Sequence, residues 1–128
     1  MRVRVRRAVI GSTLAAAVGA AALAAAATGA TAPAVRNLTA SGTNLAFSKS
    51  TLKAPKGPVK LVLTNRSGTF RHNVAVRRNG VVIKKGPVVG RNGVSRVTVT
   101  LAPGRYTYLC TVGKHAKNGM TGTLTVTR

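Results

Sequence analysis

Residues 104–122 read GRYTYLCTVGKHAKNGMTG. Tyr106, Tyr108 and Cys110 occupy alternate positions in this stretch, which is typical of a strand with one buried face. Four residues separate Cys110 from His115, and four more separate His115 from Met120. The pattern predicts a strand that ends in a thiolate, followed by a loop that returns an imidazole and a thioether to the same end.

A second histidine lies in another strand-like run, residues 71–76, which read RHNVAV. His72 stands 38 positions before Cys110. Alternate residues of a strand share a face, so His72, Val74 and Val76 point the same way. If that face and the face of Cys110 both point inward, the imidazole and the thiolate enter the core at one end of the sheet.

These side chains make up the ligand chemistry of copper. Two imidazoles and a thiolate in a trigonal plane, with a weak and distant thioether, describe a blue-copper site. Structural zinc prefers four strong ligands, so the methionine argues against zinc. The chain contains one cysteine and two histidines, and the scheme uses all three. We therefore predict one type 1 copper ion bound by His72, Cys110, His115 and Met120.

The rest of the chain also has a strand pattern. From Leu38 onward apolar residues recur with period two, and no helical window of useful length interrupts them. Asn-Gly pairs at 79–80 and 92–93 are strong hairpin signals. Candidate strands are 44–47, 59–65, 72–77, 81–84, 95–101, 105–110 and 121–127. Seven or eight short strands at this spacing predict an all-β fold, an antiparallel β-sandwich.

The N-terminal segment reads as an export signal rather than as part of the fold. Four arginines within residues 1–7 precede an alanine-rich apolar run and small residues suited to processing, which assigns residues 1–27 to a signal peptide. The apolar run is also long enough to serve as an uncleaved anchor. Residues 28–36 are predicted to be a linker and residues 37–128 a single domain. We therefore expect an exported protein in the periplasm, the cell envelope or the extracellular space.

The charge of the chain is extreme, with 21 Lys and Arg and no Asp or Glu. No side-chain carboxylate can form a salt bridge within this protein, and its field attracts anions. We expect an acidic redox partner protein, with anionic cell-wall polymers or membrane surfaces as further candidates. Nucleic acid is not expected, because the basic residues are scattered and no recognition motif is present. We expect a monomer.

The chain strongly resembles the cupredoxins, in the branch that holds plastocyanin and azurin. Residues 104–124 resemble the ligand loop of that family, and His72-Asn73-Val74 resembles its upstream histidine segment. The resemblance extends more loosely to Leu52 and Asn65, and so covers essentially the whole predicted domain. It implies a Greek-key β-sandwich.

The same resemblance implies a role for each site residue. Cys110 would give the short covalent copper bond, His72 and His115 would complete the plane, and Met120 would be the weak axial ligand. Asn73 and Thr111 would pin the two ligand segments together by hydrogen bonds. Lys114 departs from the family pattern, because relatives often have glycine immediately before the second histidine. This departure places a charge beside the histidine through which electrons would leave.

The sequence thus favours an exported mononuclear blue-copper electron-transfer protein that cycles between Cu(II) and Cu(I) and is not an enzyme. One alternative is a copper storage or delivery protein that uses the same ligands. Another is a metal-free basic β-sandwich that binds anionic wall polymers. A copper oxidase or nitrite reductase is disfavoured, because no histidines are left for a second metal centre.

Overall fold

A computed structural model describes residues 31–128, and its regular structure consists of eight β-strands. The predicted export signal of residues 1–27 lies outside the described residues. No helix that could span a membrane occurs between residues 31 and 128. The strands are β1 (Ala34–Ala40), β2 (Thr51–Pro55), β3 (Gly57–Asn65), β4 (Ala75–Arg78), β5 (Val81–Lys85), β6 (Val94–Leu101), β7 (Gly104–Leu109) and β8 (Thr121–Thr127).

The strands form two sheets, one of three strands in the order β1-β3-β6 and one of five in the order β2-β8-β7-β4-β5. β1 pairs with β3 and β2 pairs with β8 in parallel, whereas the other four strand pairs are antiparallel. The chain leaves the larger sheet after β5, passes through β6 and returns as β7 beside β4, so that strands pair across a crossover. The predicted all-β Greek-key sandwich is confirmed, with two parallel pairs at its margins.

The core lies between the sheets and follows from the alternation of each strand. On β3, Val59, Leu61 and Leu63 are fully buried while the residues between them are partly exposed. Tyr108 and Leu124 are fully buried on the opposite sheet. Burying one valine or leucine side chain stabilises the fold by about 1.5–3 kcal/mol. Without carboxylate side chains, the fold depends on this apolar burial and on the hydrogen bonds of the strand ladders.

Residues 34–55 differ from the strand prediction. Residues 44–47 do not form a strand, although Phe47 is buried with its ring centroid 5.3 Å from that of Tyr108. Alternation there reflects burial of Leu45 and Phe47 side chains and not backbone pairing. β1 and β2 were not predicted, and β1 begins at Ala34, inside the segment assigned to the linker.

The strand that follows His72 is shorter than predicted, because β4 begins at Ala75. His72 instead forms an isolated bridge with Val89. The predicted hairpin after β4 is confirmed, since Asn79 and Gly80 have φ of 50° and 77°. Two consecutive positive φ angles are typical of a type I′ turn, which Asn-Gly adopts readily.

Candidate metal centre

Three ligand side chains converge at one end of the sandwich. The ligand atoms of His72, Cys110 and His115 all lie within 4.8 Å of one another. Cys110 Sγ lies 3.8 Å from His72 Nδ1 and 3.6 Å from His115 Nδ1. A metal in a trigonal plane, about 2.3 Å from sulfur and about 2.0 Å from nitrogen, would set a sulfur–nitrogen separation of about 3.7 Å. The cluster therefore has the dimensions of a metal site.

Cys110 reaches the site because it follows directly after β7. Its backbone N–H donates to the Met120 carbonyl at 3.2 Å, and the Met120 N–H donates to the His115 carbonyl at 3.0 Å. Met120 itself is fully buried within the core cluster. The Met120 backbone thus links Cys110 to His115 by hydrogen bonds, and the Met120 side chain lies in the apolar interior.

His72 is held from the other side of the site. Its N–H donates to the Val89 carbonyl at 3.1 Å, and its carbonyl accepts from the Val89 N–H at 2.8 Å. The side chain is fully buried, as are Val74 and Val76, so the predicted inward face is confirmed. Within residues 31–128, His72 Nε2 is the one buried side-chain nitrogen or oxygen without a hydrogen-bond partner. The other ring nitrogen, Nδ1, faces the Cys110 thiol and is the one placed to bind a metal.

The electrostatics of the pocket favour the metal-binding form of this histidine. Burial lowers the pKa of His72 below its ordinary value of 6.5, and the nearby His115 imidazole lowers that pKa further. A neutral imidazole offers a lone pair to a metal, whereas an imidazolium does not. His72 is therefore ready to act as a ligand at neutral pH.

The loop between Cys110 and Met120 is a run of tight turns that returns His115 to the thiol. The His115 N–H donates to the Val112 carbonyl at 3.0 Å, and the Gly119 N–H donates to the Ala116 carbonyl at 3.1 Å. Gly119 has φ of 114°, a conformation that a residue with a side chain adopts only under strain. The loop leaves His115 partly exposed, unlike the buried His72 and Cys110.

Hydrogen bonds of the buried Asn73 side chain join the two ligand segments. Asn73 Nδ2 donates to Thr111 Oγ1 at 2.7 Å and to the Gly86 carbonyl at 3.1 Å. The Thr111 N–H donates back to Asn73 Oδ1 at 2.7 Å. Asn73 follows His72 and Thr111 follows Cys110, so these bonds fix the spacing of the two ligands.

An aromatic residue that the sequence analysis missed completes the site. Phe70 packs edge-on against His115, with ring centroids 5.4 Å apart, and against His72 at 6.2 Å. Its carbonyl accepts from the buried Asn65 amide at 2.9 Å, which fixes the backbone before His72. The available signal was an aromatic residue two positions before the first histidine.

The comparisons with known proteins agree with this geometry. A family model for copper binding proteins, the plastocyanin/azurin family, matches residues 34–127. The fold is similar to auracyanin B (TM-score 0.68, 26% identity, 77% of this chain and 92% of the other). It is also similar to auracyanin A from Chloroflexus aurantiacus, described as a "blue" copper protein (TM-score 0.65, 24% identity, 75% of this chain and 100% of the other).

An azurin, Az-iso2, from Methylomonas sp. strain J shares the fold at a TM-score of 0.64 and 18% identity, over 76% of this chain and 100% of the other. The chain matches no curated protein sequence. The family match and the ligand cluster together show that His72, Cys110, His115 and Met120 are positioned to bind a single copper ion.

Proposed function

The chain belongs to the plastocyanin/azurin family of copper-binding proteins, and from that premise we propose that it carries single electrons on one copper ion that alternates between Cu(II) and Cu(I). The observation that supports this function most directly is the ligand cluster itself. His72 and Cys110 are fully buried, and His115 is partly exposed beside them. Such a site excludes water from two ligands and leaves one ligand edge within reach of a partner.

The protein holds these ligands rigidly, which suits electron transfer. Val89 fixes His72 through two backbone hydrogen bonds, and Met120 fixes Cys110 and His115 through one each. Asn73 links the segments that carry His72 and Cys110. Because hydrogen-bonded supports hold metal ligands in a set orientation, the donor atoms have little freedom to rearrange between oxidation states. Small rearrangement favours fast electron exchange.

His115 is the ligand through which we propose that electrons leave. Its ring is partly exposed, whereas the thiol of Cys110 and the ring of His72 are shielded from solvent. Phe70 packs against the His115 ring and so limits its rotation. Exposed Lys114 lies next to His115 in sequence, so a partner that approaches this histidine meets positive charge.

We propose that the redox partner is acidic. The 17 basic residues after position 35 face no side-chain carboxylate of their own chain. Charge complementarity of this kind raises association rates and makes them sensitive to salt. Copies of the chain repel one another for the same reason, which supports a monomer. Lys114→Glu with Lys117→Glu should lower the association rate with an acidic partner, whereas an unchanged rate over a wide range of salt would contradict acidic docking.

An electron carrier and a copper delivery protein can be separated by one pair of measurements. Repeated oxidation of the reduced copper form by ferricyanide, followed by reduction, should be fast and should retain the metal over many cycles. Copper transfer to a competing chelator should be slow in both oxidation states. Cys110→Ser is the control, since it removes the thiolate with almost no change in volume. Slow electron exchange with rapid copper loss would instead support delivery.

We further propose that the protein is exported and is a carrier rather than an enzyme. The N-terminal arginines and apolar run of residues 1–27 support export. With two histidines, one cysteine and no acidic residue, the chain has no set of such residues left for a second metal centre. Fusion of residues 1–36 to a reporter that is active only outside the cytoplasm should give activity. Replacing the four arginines of the signal by glutamate should abolish that activity, and an active variant would contradict a signal role.

A further inference from the structure

β5 is an unusual edge strand. All five of its residues, Val81–Lys85, are exposed, so it sends no side chain into the core. Three of them are consecutive branched apolar residues: Val81 is 66% exposed, Val82 41% and Ile83 46%. Among the described residues β5 pairs with β4 alone, and its outer edge is hydrogen-bonded to no other strand. Unpaired edges with apolar side chains readily accept another strand.

β2, at the opposite edge of the same sheet, is an edge strand that contributes side chains to the core. Its burial alternates, with Leu52 and Ala54 buried and the residues between them exposed. It ends in Pro55, which has no N–H to offer to an added strand. β5 has neither feature. Its apolar residues therefore have no role in the core that would explain them.

Four exposed residues of β5 also line a cleft that reaches Thr111, the residue after Cys110. The cleft has a volume of about 490 Å³ and is lined by Val82, Ile83, Lys84, Lys85 and Thr111. Thr111 follows Cys110 and bonds to Asn73, whose amide also donates to the carbonyl of Gly86, directly after β5. The end of β5 is thus joined by two hydrogen bonds to the residue next to the predicted thiolate ligand.

We propose that β5 is the docking edge for an extended acidic segment of a partner protein. The segment would add a strand beside β5, place apolar side chains against Val82 and Ile83, and bring carboxylates to Lys84 and Lys85. A second copy of this chain would not fit, because it would bring the same lysines and no carboxylate. A purely anionic polymer would leave the apolar residues without a contact.

The role of this edge rests on the proposed electron-transfer function, since a redox partner bound there would be held close to Thr111 and Cys110. Binding itself does not depend on electron transfer and can be measured separately. If no acidic segment docks at β5, small molecules should still oxidise and reduce the copper form. If the copper proposal fails, the peptide still binds.

The test uses the full chain and a synthetic peptide of repeated Val-Val-Glu-Glu, which presents apolar and acidic residues on both faces of an added strand, titrated while amide chemical shifts are recorded. We expect the largest shifts in Val81–Lys85 and weak binding that disappears when the peptide backbone is N-methylated. Lys84→Glu with Lys85→Glu should weaken binding about tenfold. Val82→Thr with Ile83→Thr keeps β-branched side chains and should weaken binding by removing apolar contact.

The matched control lies on the opposite edge, where Lys53→Glu with Lys56→Glu makes the same change in net charge at exposed positions. Charges there act on the β5 edge only through screened solvent, over which fields decay within about 8 Å at physiological salt. This control should change affinity little. Equal loss in the two charge variants, shifts spread over the whole basic surface, or unchanged binding by the threonine variant would each overturn the proposal.

Discussion

Replacing Asn73 by alanine is the sharpest perturbation of the site that leaves all four predicted ligands in place. The Asn73 side chain is 1% exposed and takes part in three hydrogen bonds. Asn73→Ala removes all three and leaves the N–H and hydroxyl of Thr111 and the carbonyl of Gly86 without their partner.

The magnitude follows from the number of bonds. A protein hydrogen bond contributes about 1 kcal/mol net, so three lost bonds lower the free energy of unfolding by about 3 kcal/mol. For a domain of this size a loss of 1 kcal/mol shifts the melting temperature by roughly 4–8 °C. We therefore expect the apoprotein to melt more than about 10 °C lower. Removing supports behind metal ligands lowers metal affinity by about 10–100-fold, and we expect copper affinity to fall within that range.

Urea unfolding of the apoprotein and competitive copper titration measure the two effects. Tyr106→Phe is the control, because it removes the two hydrogen bonds of a buried hydroxyl, to the Ala102 carbonyl and from Arg78, near the start of β7. None of these groups bonds to a ligand segment, so this variant should lose stability with little loss of copper affinity. An Asn73→Ala protein within about 0.5 kcal/mol of the parent, the usual range for an inconsequential surface change, would refute the reasoning.

Three further predictions concern the sheet, the pH dependence and the axial ligand. Gly122→Ala should destabilise the fold by about 1–3 kcal/mol in denaturant unfolding, since Gly122 pairs with Tyr108 and a Cβ there would overlap its ring. A neutral effect would mean that the ring can move aside. The pKa of His72 is lowered in the folded apoprotein, so the associated stability is present above the ordinary value of 6.5 and is lost as pH falls through the folded pKa. Apoprotein melting temperature should therefore decrease below about pH 6.5, and His72→Gln should remove most of that decrease; a steep fall to pH 3 in His72→Gln would contradict it. Met120→Leu should keep the visible copper band and raise the reduction potential measured by voltammetry, because loss of a weak axial donor disfavours Cu(II) more than Cu(I); an unchanged potential would argue that Met120 is a packing residue only.

Much of the site could be predicted because the chain offers so few candidates. One cysteine and two histidines leave a single possible trio, and strand alternation placed His72 and Cys110 on inward faces. Phe70 could not be found in this way, since its contacts with both histidine rings depend on how two loops fold together. The hydrogen-bonding role of Asn65 depends on contacts with residues up to 24 positions away, which no local pattern encodes.

The fold was predicted less evenly. β8 was predicted at its observed boundaries, because clear alternation lies between a turn and the C-terminus. Residues 44–47 show the same alternation and form no strand, since alternation reports which side chains are buried and not whether the backbone finds a partner. Parallel pairing of β1 with β3 and of β2 with β8 was also missed. Alternation is the same in parallel and antiparallel pairs, so the sequence pattern does not distinguish them.

The central claim is that His72, Cys110 and His115 hold one copper ion with thiolate coordination. Titration of the purified apoprotein with Cu(II), followed by visible absorption, tests it most directly. We predict an intense blue thiolate-to-copper band that saturates at one copper per chain and is absent in Cys110→Ala, because the chain has no other thiol. A colourless copper-loaded protein, or a blue Cys110→Ala variant, would contradict the claim.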